Sequence, residues 1–312
     1  VLFVLVAAAA STPWASGPIA LAAGIVLALL GLTALEPESK RISKLLVQAC
    51  VIMLGFRLGI GQLAHAAAEG LLFAVATIGF TLGLGWALGR LLRTSGELAT
   101  LVNSGTAICG ASAIAAVGAS MGAAGASMAV ATGAIFILNA IGLWALPAIG
   151  HALQLSEAQF GTWAGVALHD VASVAAAAGT YHAPGSTTSV AMDTANVVKM
   201  TRVLWIIPLA FAAAWSAGRA ASDARSRVQI PWFIGLFLLA SVLRTLVPDI
   251  ARVEGTIRTI AATGFQLALF LIGSGLTRAT LRAVGWRVLA HATILWIAVA
   301  AGSLVAIRAM VS

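Results

Sequence analysis

The sequence predicts an all-α, polytopic membrane protein of about 11 transmembrane spans, built from inverted repeats with interrupted helices at mid-membrane. Three observations predict it. Of 312 residues, 61% are apolar and 9% charged, with a mean hydropathy of +1.02; a soluble domain carries about 25% charged residues. Apolar stretches of membrane-crossing length recur along the chain with short connections. One part of the chain also repeats another at a fixed offset.

The apolar stretches are 1–11, 17–35, 44–62, 68–93, 97–120, 126–150, 157–180, 188–218, 231–247, 257–276 and 286–310. The first is too short to cross alone, since about 20 residues are needed; it reads as the end of a truncated helix, with the end of a signal sequence as the alternative. No linker or soluble domain intervenes, so residues 1–312 read as one transporter domain. Arginine and lysine concentrate on alternate connections: Lys40, Arg41 and Lys44; Arg90 and Arg93; Arg219, Arg225 and Arg227; Arg278, Arg282 and Arg287. Cytoplasmic loops are enriched in these residues, which places the N-terminus in the cytoplasm. Arg252 and Arg258 run against the scheme. This bias also accounts for the net charge of +8; no basic run with interleaved aromatics suggests nucleic acid.

Shifting the chain by 218 residues lays Pro13 and Trp14 on Pro231 and Trp232, Gly17 on Gly235, Gln48 on Gln266 and Gly55 on Gly273. The second span then matches the ninth. An odd offset in spans makes the copies antiparallel across the bilayer, a common transporter construction. Residues 1–93 and 188–312 form the repeat-related scaffold in this reading, and 97–180 an interrupted-helix core.

The fifth span carries the interruption. Residues 103–113 read NSGTAICGASA, with Asn103, Ser104, Gly105, Thr106, Cys109, Gly110 and Ser112 where a plain anchor would carry Leu, Ile and Val. Unpaired backbone groups in hydrocarbon cost several kcal/mol each, so a break needs protein or a wet cavity around it. A second half-helix starting there would aim free N–H groups and its positive dipole end at the break, an anion-binding arrangement. Small residues also serve plain helix packing in membranes; the added polar side chains favour a site.

Two further segments carry buried charge. His169 and Asp170 lie inside the seventh span, where an aspartate costs about 2.5–3.5 kcal/mol at the bilayer centre. Asp193, Asn196, Lys199 and Arg202 open the eighth; Asn196, Lys199 and Arg202 recur every three residues and share a face. Lys199 and Arg202 precede a long apolar run and need a negative partner: Asp170, Asp193 or an anionic substrate. Arg57 is a lone membrane arginine. Asn139 and Gln48 read as interhelical hydrogen-bonders, Tyr181 and His182 as interface residues, Cys50 and Cys109 as free buried thiols. There is no metal-binding, nucleotide-binding or hydrolase motif, so neither an enzyme nor a cofactor is expected.

NSGTAICGASAIAA (103–116), LHDVASVAAAAG (168–179), NVVKMTRVLWIIP (196–208) and IPWFIGLFLLA (230–240), in this order, resemble the YeiH-like family of bacterial inner-membrane proteins, assigned as sulfate exporters. VIMLGFRLGI (51–60) and LRAVGWRVL (281–289) fit the same pattern. Ser173 stands at or near a position where the family typically carries a polar residue such as Gln. The family shares its fold group with cation/proton antiporters and bile-acid symporters. The resemblance thus implies inverted helical halves, crossing interrupted helices and secondary transport, of an elevator type.

The expectation is a secondary transporter of a small anion such as sulfate or another sulfur oxyanion or sulfonate. Asn103, Ser104, Gly105, Thr106, Cys109, Gly110, Ser112, Lys199 and Arg202 would contact substrate. Asp170, His169, Asn196 and Ser173 would serve a coupling proton or sodium ion. A monovalent cation/proton antiporter using Asp170 and Lys199 is the first alternative, and a non-transporting membrane sensor or assembly protein the second. A homodimer suits such a fold, although no residue pattern marks an interface.

Overall fold

The computed structural model describes all residues except 1, 13–14, 34–35, 183–189, 217–231 and 311–312. Pro13, Trp14, Pro231, Arg219, Arg225 and Arg227 therefore lie outside the described residues. Those described form helices and connections only: α1 (Leu2–Ala10), α2 (Gly17–Leu29), α3 (Glu36–Gly55), α4 (Ile60–Leu91), α5 (Gly96–Ala107), α6 (Ala111–Met121), α7 (Gly125–Ala152), α8 (Glu157–Ala167), α9 (Val171–Thr180), α10 (Val190–Val203), α11 (Ile206–Ser216), α12 (Trp232–Leu246), α13 (Glu254–Ser274), α14 (Arg278–Ala283) and α15 (Trp286–Met310). A 3₁₀ turn, Pro248–Val253, precedes α13. Gly70–Leu91, Gly125–Ala152, Val190–Ser216, Glu254–Ser274 and Trp286–Met310 are each long and apolar enough to cross a membrane. Large apolar side chains such as Leu72, Trp215 and Val305 lie exposed on the outside, as a lipid-facing surface requires.

Several boundaries differ from the hydropathy reading. Lys40, Arg41 and Lys44 ride on the first turns of α3 rather than in a loop. The seventh apolar stretch, expected to be one helix, is broken at 168–170 into α8 and α9. The eighth is broken at 204–205. Tyr181 is not an interface residue: it is 1% exposed, its ring stacks on Phe160, and its hydroxyl donates to the Leu155 carbonyl at 2.7 Å.

Shifted by 218 residues, α3 falls on 254–273, where α13 is Glu254–Ser274, and α4 falls on 278–309, where α14 and α15 run from Arg278 to Met310. The two copies pack on each other through equivalent glycines. A Cβ at Gly55 would lie 2.4 Å from the Phe237 carbonyl oxygen, and one at Gly273 2.4 Å from that of Leu21. Glycine is what allows backbones to approach this closely. Along the first contact, Gly55 meets Phe237, the Leu58 carbonyl accepts from Ser241 and the Ile60 N–H donates to Thr245, so α3 and α12 run in the same direction. Likewise α2 runs with α13, from Gly17 beside Leu269 to Gly24 beside Ser274. A chain that goes up α2 and returns along α3 therefore returns along α12 and goes up α13. That is the sense an inverted repeat requires.

Candidate functional site: two touching helix breaks

The interruption in the fifth apolar stretch is real and lies at 108–110. Ser95 caps the start of α5 by accepting from the Leu98 N–H. The helix ends at Ala107, and Gly110 turns the chain with φ 64° and ψ −124°. A side chain is strained there; glycine is not. α6 then begins with no side-chain oxygen on its first turn from the capping residue. At 1.5 Å per residue, α5 and α6 are each about half a membrane long.

The second break solves the same problem with a polar residue. α8 begins with a capping box between Ser156 and Gln159 and ends at Ala167. Asp170 then caps α9: one carboxylate oxygen accepts from the Ser173 N–H at 2.9 Å, the other from the Ser173 hydroxyl at 2.7 Å. The Asn139 amide, on α7, donates to Asp170 and Ser173, and its oxygen accepts from the His169 N–H at 2.8 Å. The breaks touch: a Cβ on Gly110 would lie 3.3 Å from that of His169.

Lys199 joins them. Its Nζ donates to the carbonyl of Ile108 at 3.0 Å and to that of Leu168 at 2.6 Å. Arg202, one turn on, donates to the Ala107 carbonyl and, at 2.7 Å, to the Thr77 hydroxyl on α4. Both cations are about 1% exposed. A helix C-terminus carries roughly half a negative charge on its unpaired carbonyls. The negative partner that these cations need is thus the pair of C-terminal half-helix ends. Among the described residues neither makes an ion pair with a carboxylate.

The four half-helix ends are consequently unequal. The C-ends of α5 and α8 are covered by Lys199 and Arg202, and the N-end of α9 by Asp170. At the N-end of α6 the capping residue, Gly110, offers no side chain, and the Cys109 sulfur, a weak acceptor, lies beside the Ala113 N–H and the Ser112 hydroxyl. Ser112 is exposed and Ala111 partly so. Asp170 is also partly exposed, whereas His169 is buried with neither ring nitrogen hydrogen-bonded. The oxygen of Asn196, Nε of Arg202 and the hydroxyl of Thr106 are likewise buried without a hydrogen-bond partner.

Cys109, Gly110, Ser112, His169, Asp170, Ser173, Lys199 and Arg202 therefore gather around the breaks. The side chains of Asn103, Ser104 and Asn196 do not turn toward them. Asn103 faces α4 and α15, where its oxygen lies 3.0 Å from Nε2 of His291 and its side chain fills the space beside Gly85. Ser104 donates back to Leu101. Gly105 remains helical and packs on Ile114 and Ile135, and its carbonyl accepts from the Gly110 N–H of the first break at 2.9 Å. Asn196 donates to the Met192 carbonyl on its own helix. Asn139, read only as a helix-to-helix bonder, proves to organise the second break. His291 and Thr77 leave no mark in the sequence: a histidine or threonine in an apolar run carries no local signal of its partner. Both cysteines are free and buried. Among the described residues no three His, Cys, Asp or Glu side chains gather to hold a metal ion.

A family model described as "Conserved hypothetical protein 698" matches residues 2–292. A UPF0324 membrane protein of Geobacter sulfurreducens is 38% identical over 98% of this chain and 95% of its own length. Those of Bacteroides thetaiotaomicron and Photobacterium profundum are also 38% identical, over 93% and 97% of this chain and 86% and 90% of their own. No solved structure matches significantly. The chain, with two interrupted helices whose breaks touch, belongs to the UPF0324 family of membrane proteins, the family to which the YeiH-like motifs point.

Proposed function

We propose that the chain is a secondary transporter of a small anion, with the α6 N-terminus as its binding site. The observation that carries this reading is the inequality of the four half-helix ends. Three are closed by charged side chains, and the fourth has, among the described residues, only the Cys109 thiol, a weak acceptor, beside the Ala113 N–H and the Ser112 hydroxyl, next to the carbonyls that Lys199 and Arg202 hold. Anions bind at helix N-termini because unpaired N–H groups and the dipole both favour negative charge. The broken helices supply this at a depth where backbone is otherwise fully paired. Resemblance, not geometry, narrows the anion to sulfate or a related sulfur oxyanion or sulfonate. The same source supplies the bacterial inner membrane, and the arginine bias a cytoplasmic N-terminus.

In this reading Lys199 and Arg202 act on substrate through the field they set up while holding the breaks. Asp170 takes the coupling proton or sodium ion. The core of 97–180, with α10 and α11, moves against the scaffold of α1–α4 and α12–α15. The test is flux of labelled sulfate into proteoliposomes. Ser112→Val should cut it strongly while the protein remains folded; unaltered flux in that variant contradicts the site.

One observation favours a second reading. Asp170 is partly exposed and its carboxylate is already ordered by Ser173 and Asn139, as a cation- or proton-binding group would be. A cation/proton antiporter would show sodium-driven proton flux that Asp170→Asn removes, and no sulfate flux. A sensor or assembly protein would show neither.

A further inference from the structure

The Arg57 side chain, 4% exposed, ties three helices together away from the breaks. It meets the Asp193 carboxylate through both terminal nitrogens, at 2.9 and 3.3 Å, and its Nε lies 3.4 Å from Glu254 Oε1. Arg57 follows the end of α3, Asp193 sits in the first turn of α10, and Glu254 opens α13. Asp193 and Glu254 keep 31% and 39% side-chain exposure, so the cluster reaches the protein surface.

We propose that this cluster is a gate: an ionic clasp that holds α10 against the repeat-related helices and closes the site from that face. Three features support it. Its helices belong to different parts of the molecule: α3 and α13 are the packed repeat copies, and α10 is the helix whose Lys199 and Arg202 hold both breaks. Asp193 lies less than two turns from Lys199, so releasing the clasp frees the helix that carries the site's cations. The clasp is also one-sided. Under the 218-residue shift Glu254 corresponds to Glu36, but Arg57 corresponds to Gly275. The arginine is thus not repeated in the second copy. Inverted repeats exchange two faces by symmetry, so a lock built on one face only biases the resting state toward closure there. A mostly buried pair broken on one side leaves its partner charge without compensation, which makes the clasp a switch and not only a tether.

The proposal rests on the transporter reading, but its test needs no substrate. Cys109 lies at the first break and is 5% exposed, so its alkylation by a membrane-impermeant maleimide reports opening. With Cys50→Ala as background, alkylation is timed in reconstituted vesicles from each face. Asp193→Asn and Glu254→Gln should each speed it about tenfold or more from the clasp face, the population change that 1.4 kcal/mol gives, and leave the other face unchanged. Unchanged rates, or an equal rise from both faces, in protein that still elutes as folded overturn the gate. Should Asp193→Asn fail to fold, Glu254→Gln, at the more exposed partner, carries the same test. One-sided alkylation without sulfate flux would defeat the anion reading and keep the clasp; flux with unaltered alkylation would do the reverse.

Discussion

The two helix breaks meet one physical demand in different ways. Each interruption strands backbone carbonyls on one side and N–H groups on the other, inside a region with no bulk water. The carbonyl ends share one solution, Lys199, which bonds the ends of both α5 and α8. The N–H ends diverge. α9 has Asp170, Ser173 and Asn139 gathered on its first turn; α6 has a glycine at positive φ and a sulfur. The lesson is that one break is internally closed and the other is left for something else to complete. A structural kink needs only the first kind.

The most damaging way to break this comparison is to remove what the breaks share. Lys199→Met leaves two buried carbonyls and two helix ends uncompensated, and should cost about 3–5 kcal/mol, in the range for breaking a buried charged network. Thermal unfolding in detergent measures it, and a loss below about 1 kcal/mol, the worth of one ordinary hydrogen bond, would show that the lysine is not holding the ends. Next comes the glycine break. Gly110→Ala places a Cβ at φ 64° and 3.3 Å from that of His169, and should cost about 1–3 kcal/mol with loss of flux. A fully active, equally stable variant would remove the claim that this turn needs glycine.

Asp170→Asn sharpens the difference between the breaks. Asparagine is itself a good N-cap, so stability should fall by only about 1 kcal/mol, the worth of one hydrogen bond. The dependence of sulfate flux on proton or sodium gradients should flatten. Flux still driven by those gradients as in the wild type would take the coupling role from Asp170. The smallest stability effect belongs to Ser112→Val, at an exposed position, expected within about 0.5 kcal/mol. A larger drop in melting stability would reassign Ser112 from ligand contact to structure.

The first break was legible in the sequence because glycine and small polar residues together interrupt an apolar run of membrane length. Even so, Gly105 proved to be a packing residue and the turn lies at Gly110. The second break was hidden. An aspartate in an apolar run looks the same whether it is a buried charge or a cap; its place directly before the run from Val171 was the available sign of an N-cap. The repeat was legible because the equivalent glycines Gly55 and Gly273 are fixed by backbone contact. Pairings across the fold were not: Asn103 meets His291 on α15, Arg57 meets Asp193 and Glu254, and Lys199 meets carbonyls that any residue could supply. Backbone partners leave no trace in residue identity, which is why the cations were expected to seek acids or substrate.

The central claim is that the uncapped α6 N-terminus binds an anion. Equilibrium binding of labelled sulfate to the purified protein, with sulfite, thiosulfate, small sulfonates and sodium as competitors, tests it most directly. The prediction is saturable binding, displaced by the oxyanions and weakened about tenfold or more by Ser112→Val, a loss of at least about 1.4 kcal/mol, with melting unchanged. Absence of saturable binding for every anion, or binding indifferent to Ser112→Val, would contradict it.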